Sequence, residues 1–461
     1  MITLPGVVFS FLSFLGLFKE RFLFTLLIYA SLLQGVSVYN YGDTGVPVFA
    51  FIQIFIFFLI LLRSIVSKPY LNDFFVLKKG FTRQFVFLLG MFVFLSISSA
   101  WTFPIIFEGT PVFNPKMGID SQYGYGNQSS LLFSLSNLAQ SIYIFLNFIT
   151  FLYVLNFTLK IKNPRFIISV FSSTLLLILA LFAFQAFFFI DGFNEEAIDI
   201  VERLFFNNPS YAILYQQVTS FGMPRFSGPF LEPSNAGLYL AGLSLSLIGL
   251  MFSFSSRRYC CIFLVALVAF TTLVLTTSSS GYVAFTISFL IYLIVYLFKS
   301  IIPRKKLFYA LIFLVFFISL FIINYAHFSH ILEFVIFDKM GSDSYLHRSF
   351  SNQFAIEVWA NTYFLGAGLG SNRPSSFFYY LLSNLGFLSL IFLSLLVLLL
   401  YRSLRFIKNE MVLFAFLFLL TVFVGMLVAV PDISSPFLWY LMAMLLGFQD
   451  RILKGRHDDR G

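Results

Sequence analysis

Twelve uninterrupted apolar runs divide this chain, at residues 22–40, 47–62, 84–103, 131–155, 166–190, 235–254, 260–277, 281–298, 307–326, 376–400, 411–430 and 434–448. Crossing a hydrocarbon core as an α-helix takes roughly 17–25 apolar residues, because lipid offers the backbone no hydrogen bonds and each residue advances only about 1.5 Å. Strands of a membrane barrel would instead alternate apolar and polar side chains over about 10 residues. The continuous runs therefore predict an all-α, polytopic membrane protein with about 12 transmembrane helices. Composition agrees. Of the 461 residues 59% are hydrophobic and 11% charged, whereas soluble domains carry about 25% charged residues. The deficit excludes a cytosolic enzyme, a disordered scaffold and a disulfide-stapled secreted domain. Cys260 and Cys261 are adjacent, a spacing that suits neither a disulfide nor a zinc site. A shorter apolar stretch, 4–17, ends at Lys19, Glu20 and Arg21 and reads as an interfacial or re-entrant helix, with a thirteenth span as the alternative.

Lysine and arginine set the orientation, because positive residues near span ends are retained in the cytoplasm. With the N-terminus inside, 23 of the 29 fall in cytoplasmic segments, and only Lys116, Arg203, Arg225, Lys339, Arg348 and Arg373 fall outside. Carboxylates divide the other way, 14 outside and 6 inside, so the net charge of +9 reflects topology and not a nucleic-acid footprint. An even number of spans returns the C-terminus to the cytoplasm. Three external connections are long, about 104–130, 191–234 and 327–375, and loops of that length are usually functional or disordered. With no repeat and no soluble domain, residues 1–461 read as a single integral membrane domain.

No proposed span carries Asp, Glu, Lys or Arg near its centre, which weighs against an ion-coupled carrier. Ionisable residues gather at the outer boundary instead. Residues 224–237, P-R-F-S-G-P-F-L-E-P-S-N-A-G, lead into a span. Arg225 breaks the negative bias of the outer face, and its planar guanidinium can grip two phosphate oxygens. Gly228, Pro229 and Pro233 suggest a fixed turn holding Arg225 near Glu232, either as a phosphate site or as a structural ion pair. Ser234 and Asn235 are equally candidates to cap the following helix. Further on, Asp343, His347 and Arg348 fall on a potential helix that places Asp343 and His347 one turn apart. The G-A-G-L-G run at 366–370 reads as a phosphate-facing loop or as a tight bend. Arg373 is either a third diphosphate ligand or a snorkelling anchor. His327 and His330 lack a convincing third ligand, so no metal is expected.

Taken in order, R-x-x-G-x-x-x-E-P-S at 225–234, T-T-S-S-S-G at 276–281, R-S-F at 348, L-G-A-G-L-G at 365–370 and L-L-S-N-L-G at 381–386 resemble the O-antigen ligase and polymerase superfamily, especially Wzy-type polysaccharide polymerases. The likeness covers about residues 220–390 together with the span pattern. It implies a bacterial inner-membrane glycosyltransferase that uses undecaprenyl-pyrophosphate-linked sugars at the periplasmic face, with no cofactor. By that resemblance Arg225 and Arg348, with Arg373 as a third candidate, contact the diphosphate. A chain-length regulator and a flippase are the implied partners. Two departures stand out. The serine-rich turn lacks an arginine often found there. Ser375 and Ser376 occupy the place of the His–Asn pair common in ligases, which favours a polymerase.

The expected reaction joins lipid-linked oligosaccharide repeat units, with Glu232 as first choice of general base and His347 as second. The alternatives are a ligase that transfers lipid-linked glycan to lipid A-core or protein, and a non-enzymatic lipid-linked oligosaccharide flippase. A flippase predicts short loops and a charged interior, the reverse of what this chain carries.

Overall fold

A computed structural model describes residues 1–66, 80–113, 128–191, 195–209, 224–253, 259–299, 343–430 and 432–458. The expected span 307–326, His327, His330, Lys116 and Lys339 lie outside them. The chain opens with α1 (Leu4–Gly16), α2 (Glu20–Leu32), a β1–β2 hairpin (Ser37–Tyr41, Thr44–Pro47), α3 (Val48–Val66) and α4 (Phe81–Ile106). A second two-stranded ribbon, β3 (Pro111–Phe113) with β4 (Gln128–Ser130), precedes α5 (Leu135–Lys160), α6 (Arg165–Asp191) and α7 (Glu195–Phe205). Then come α8 (Pro233–Ser253), α9 (Tyr259–Leu275), α10 (Ser279–Lys299) and α11 (Asp343–Asn361). The C-terminal elements are α12 (Phe377–Leu385), α13 (Leu388–Ser403), α14 (Glu410–Ala429) and α15 (Pro436–Asp458).

The molecule is mostly helical, and the seven helices α3, α4, α5, α6, α8, α10 and α14 are each long and apolar enough to cross a membrane among the described residues. Together they mark a membrane-embedded chain. Packing explains the layering: α8 and α14 are buried along most of their length and pack on each other, with α9, α10 and α15 around them. Peripheral helices turn Phe87, Phe94, Leu264, Leu267 and Phe298 outward, an exposure that suits lipid and would be an association hazard in water. Among the described residues no Asp, Glu, Lys or Arg is fully buried. Interior polarity is carried by neutral groups, as where Gln53 donates to Asn147 Oδ1 at 2.8 Å and to the Tyr440 hydroxyl at 3.1 Å.

Several expectations need correcting. Run 22–40 is not one helix: α2 ends at Leu32, and the remainder enters the β1–β2 hairpin. Run 376–400 is split at Gly386 into α12 and α13. The two ribbons are small exceptions to an all-α fold. The N-terminus is held at the hairpin end of the bundle. The Met1 amine donates to the Asn40 carbonyl, and Thr3 N donates to Val38 O at 3.1 Å. Asn40 in turn donates to Asn207 O at 2.7 Å. From that end α1 runs back to Lys19, beside the Arg63–Glu20 ion pair at 2.9 Å. The opposite end of the bundle also holds the Arg165–Glu410 pair and the bond from Arg451 to the Ile161 carbonyl. Met1 thus lies at the end that carries residues 35–47 and 207, while α15 ends at the other. The reason is visible in the charges, since Lys19 and Arg21 mark the basic end and the apolar stretch before them leads away from it.

Candidate functional site

Residues 224–232 are held in place before α8 begins. Gln185, buried on α6, accepts from Ser227 N at 3.1 Å and from Gly228 N at 3.2 Å, and donates to the Arg225 carbonyl at 3.3 Å. Gly228 has φ +57, and a Cβ there would sit 2.8 Å from the Phe182 ring. A side chain is excluded both by the left-handed backbone and by that contact. Pro233 then starts α8 at the position where its missing N–H is harmless. Asn235 N bonds to the Glu232 carbonyl, which makes Glu232, not Ser234 or Asn235, the residue at the helix entrance. Ser234 Oγ donates to the Glu232 carboxylate at 2.8 Å, and Asn235 Nδ2 donates to Gln34 Oε1 at 3.2 Å.

The serine-rich turn comes alongside through a backbone contact between α8 and α10. A Cβ on Gly281 would lie 2.9 Å from Gly237 Cα, so the two helices meet with no side chain between them. That crossing sets Tyr282, one residue along α10, within electrostatic reach of Arg225, while its hydroxyl donates to Val274 O at 2.7 Å.

The second half of the site is α11. Ser351 and Ser375 hydroxyls are 2.8 Å apart, and Asn352 Oδ1 accepts from Ser375 N at 3.1 Å, which tie α11 to the loop before α12. The His347 ring packs edge-on against Phe113, centroids 5.3 Å apart. Phe113 is itself fixed, accepting from Arg373 N at 3.1 Å and donating its N–H to Asn372 Oδ1 at 2.8 Å.

These two halves bring Arg225, Arg348, Glu232 and His347 into one electrostatic neighbourhood. Burial holds the partly buried Arg225 guanidinium below its ordinary pKa, the like charge of Arg348 pushes the same way, and Glu232 and Tyr282 oppose both. His347 is also held below the ordinary histidine value, first by burial and then by Arg348, a shift that favours the neutral imidazole. Among the described residues neither Arg225 nor Arg348 forms an ion pair; Glu232 acts on Arg225 through space. The other described cations of the expected outer face are matched directly. Arg203 bonds Asp199 at 2.7 Å, and Arg373 bonds Asp432 at 3.2 Å. Arg373 therefore stands apart from the first two arginines in having a carboxylate partner.

The glycine loop reads differently in structure. Amides of Gly366, Ala367 and Gly368 donate to Thr362 Oγ1, Ser383 O and Asn384 O. Asn384, fully buried, accepts from Ser371 N and Asn372 N, both at 2.9 Å, and donates to Asn372 O at 2.7 Å. Gly368, at φ +96, leaves no room for a Cβ, which would lie 2.6 Å from Ser99 O. Those amides are engaged within the protein, so the run serves as the tight bend. Sequence reasoning quoted Asn384 only inside a motif and passed over Gln185, a lone amide in an apolar run. No protein-family model matches the chain, and no curated protein matches it.

Proposed function

We propose that the chain is a polysaccharide polymerase, a bacterial inner-membrane glycosyltransferase acting on undecaprenyl-pyrophosphate-linked repeat units at the periplasmic face. One observation carries the reading: Arg225 and Arg348, from distant parts of the sequence, lie within electrostatic reach of each other as like charges, and among the described residues neither has an ion-pair partner. Two guanidinium groups within electrostatic reach of each other suit a diphosphate, whose oxygens accept several charge-assisted hydrogen bonds. The bundle end carrying Lys19, Arg63, Arg165, Arg402 and Arg451 is read as cytoplasmic, and the site end as periplasmic.

In the reaction, a hydroxyl of the acceptor sugar attacks the anomeric carbon of the donor. The new C–O bond forms as the bond to the diphosphate breaks, and the electron pair leaves with undecaprenyl pyrophosphate. Arg225 and Arg348 neutralise the growing charge on the leaving group. Glu232, within electrostatic reach of Arg225, takes the hydroxyl proton, with His347, near Arg348, as the second candidate. A ligase would use the same donor with lipid A-core or protein as acceptor. Purified protein incubated with undecaprenyl-pyrophosphate-linked repeat units should yield a ladder of longer lipid-linked products, absent with Arg225→Ala. Transfer only when lipid A-core is supplied would assign a ligase; no covalent product with either acceptor would end the enzymatic reading.

A further inference from the structure

We infer that Gln185 is a positioning residue for Arg225, an inference that rests on the diphosphate reading of that site. A primary amide both accepts and donates, and Gln185 uses both capacities on one four-residue stretch. Its oxygen receives the amides of Ser227 and Gly228, and its nitrogen reaches the carbonyl of Arg225 itself. Phe182, one helical turn earlier on α6, packs against Gly228 and stacks on Phe226 at 5.4 Å. The two α6 residues share a face, and they hold the backbone on both sides of Arg225's immediate neighbour. Arg225 has a long side chain with many rotamers, so fixing its main chain narrows the volume its guanidinium can sweep. Ser227 Oγ is buried and, among the described residues, has no hydrogen-bond partner. Gln185 thus supplies polar restraint at three points of the segment, beside the bond from Phe230 N to Ser227 O at 3.1 Å.

A purely structural glutamine would satisfy the same amides without any link to ligand binding, and a double-mutant cycle separates the two roles. Full-length protein in detergent would be titrated with inorganic pyrophosphate, comparing Gln185→Met, Arg225→Ala, Arg348→Ala and the two double variants. Gln185→Met should weaken binding about tenfold, add nothing further in the Arg225→Ala background, and multiply with Arg348→Ala. Parent-like affinity in Gln185→Met, or equal multiplication in both backgrounds, would overturn the inference while leaving the diphosphate reading intact. Parent-like affinity in Arg225→Ala would instead remove the diphosphate reading itself. If Gln185→Met does not fold, Gln185→Glu takes its place in the cycle with the same expected coupling to Arg225→Ala, because as a carboxylate it keeps an acceptor for the two amides and removes the donor to the Arg225 carbonyl while adding a negative charge.

Discussion

Replacing Arg348 should move ligand affinity and the stability of the empty protein in different directions. Its charge pushes against Arg225, and among the described residues no ion pair is lost with it. Its carbonyl bond from Ser351 Oγ, 3.0 Å, is a backbone feature that alanine retains. Arg348→Ala should therefore leave thermal unfolding of the empty protein unchanged or slightly raised, within the roughly ±0.5 kcal/mol of substitutions that break no contact. With a diphosphate bound the sign reverses. Losing at least one charge-assisted hydrogen bond removes about 1.5–3 kcal/mol, or roughly 10- to 150-fold in affinity. Arg348→Lys should behave almost like alanine, because a point charge does not replace a planar fork. Calorimetric titration with pyrophosphate and thermal unfolding with and without it measure both quantities. An Arg348→Ala protein that melts several degrees lower when empty yet binds as tightly as the parent would refute the argument and make the arginine structural.

Four further outcomes are expected. Because His347 is held below 6.5 in the folded protein, the unfolded chain takes up its proton first as pH falls. Stability should be level above about 6.5 and decline below it, and His347→Asn should flatten that decline in unfolding scans from pH 7.5 to 5. Glu232→Gln should lose turnover while retaining pyrophosphate binding, with His347→Ala milder; the opposite ranking would transfer the base role to His347. Cysteines at Ile2 and Thr44, in a background without Cys260 and Cys261, should react with an impermeant thiol reagent from one side of the membrane and a cysteine at Asn163 from the other. Labelling of Ile2 together with Asn163 would contradict the placement of the N-terminus. Asn384→Leu should destabilise the protein by about 2–5 kcal/mol in reversible unfolding, since two amides lose their acceptor.

How much of this was legible beforehand depends on which physical rule a feature obeys. Helix positions were readable where a run is bounded by charge: 166–190 became Arg165–Asp191 and 411–430 became Glu410–Ala429. Where polar punctuation is weak, hydropathy merged unlike elements. The apolar residues of β1 continue those of α2, so the hairpin was hidden, and a single glycine at 386 broke an otherwise continuous run. Arg225 and Arg348 are legible as exceptions to the charge bias, but their electrostatic proximity depends on where the segment before α8 and helix α11 are set by their separate neighbours. Arg373 looked like the same kind of exception until Asp432, close in space and remote in sequence, supplied its partner. Gln185 carried only a faint signal, an amide near the end of a lipid-length helix, where an unbonded polar group would be expensive.

The site's construction also bears on why a like-charge pair survives here. Arg225 belongs to a segment fixed by Gln185 and by the crossing of α8 with α10. Arg348 belongs to a helix fixed separately, by Ser375 and by the packing of His347 on Phe113. Neither anchor relies on attraction between the two halves, so their mutual repulsion is opposed by neutral hydrogen bonds and ring packing. A dianionic ligand between them would turn that repulsion into two attractions and would couple the halves directly. Binding should then raise thermal stability with ligand concentration, and by more in the parent than in a protein lacking either arginine. Partial exposure at the end of the bundle keeps the two cations tolerable, while the buried interior is left to amides and hydroxyls such as Gln53, Asn147 and Tyr440.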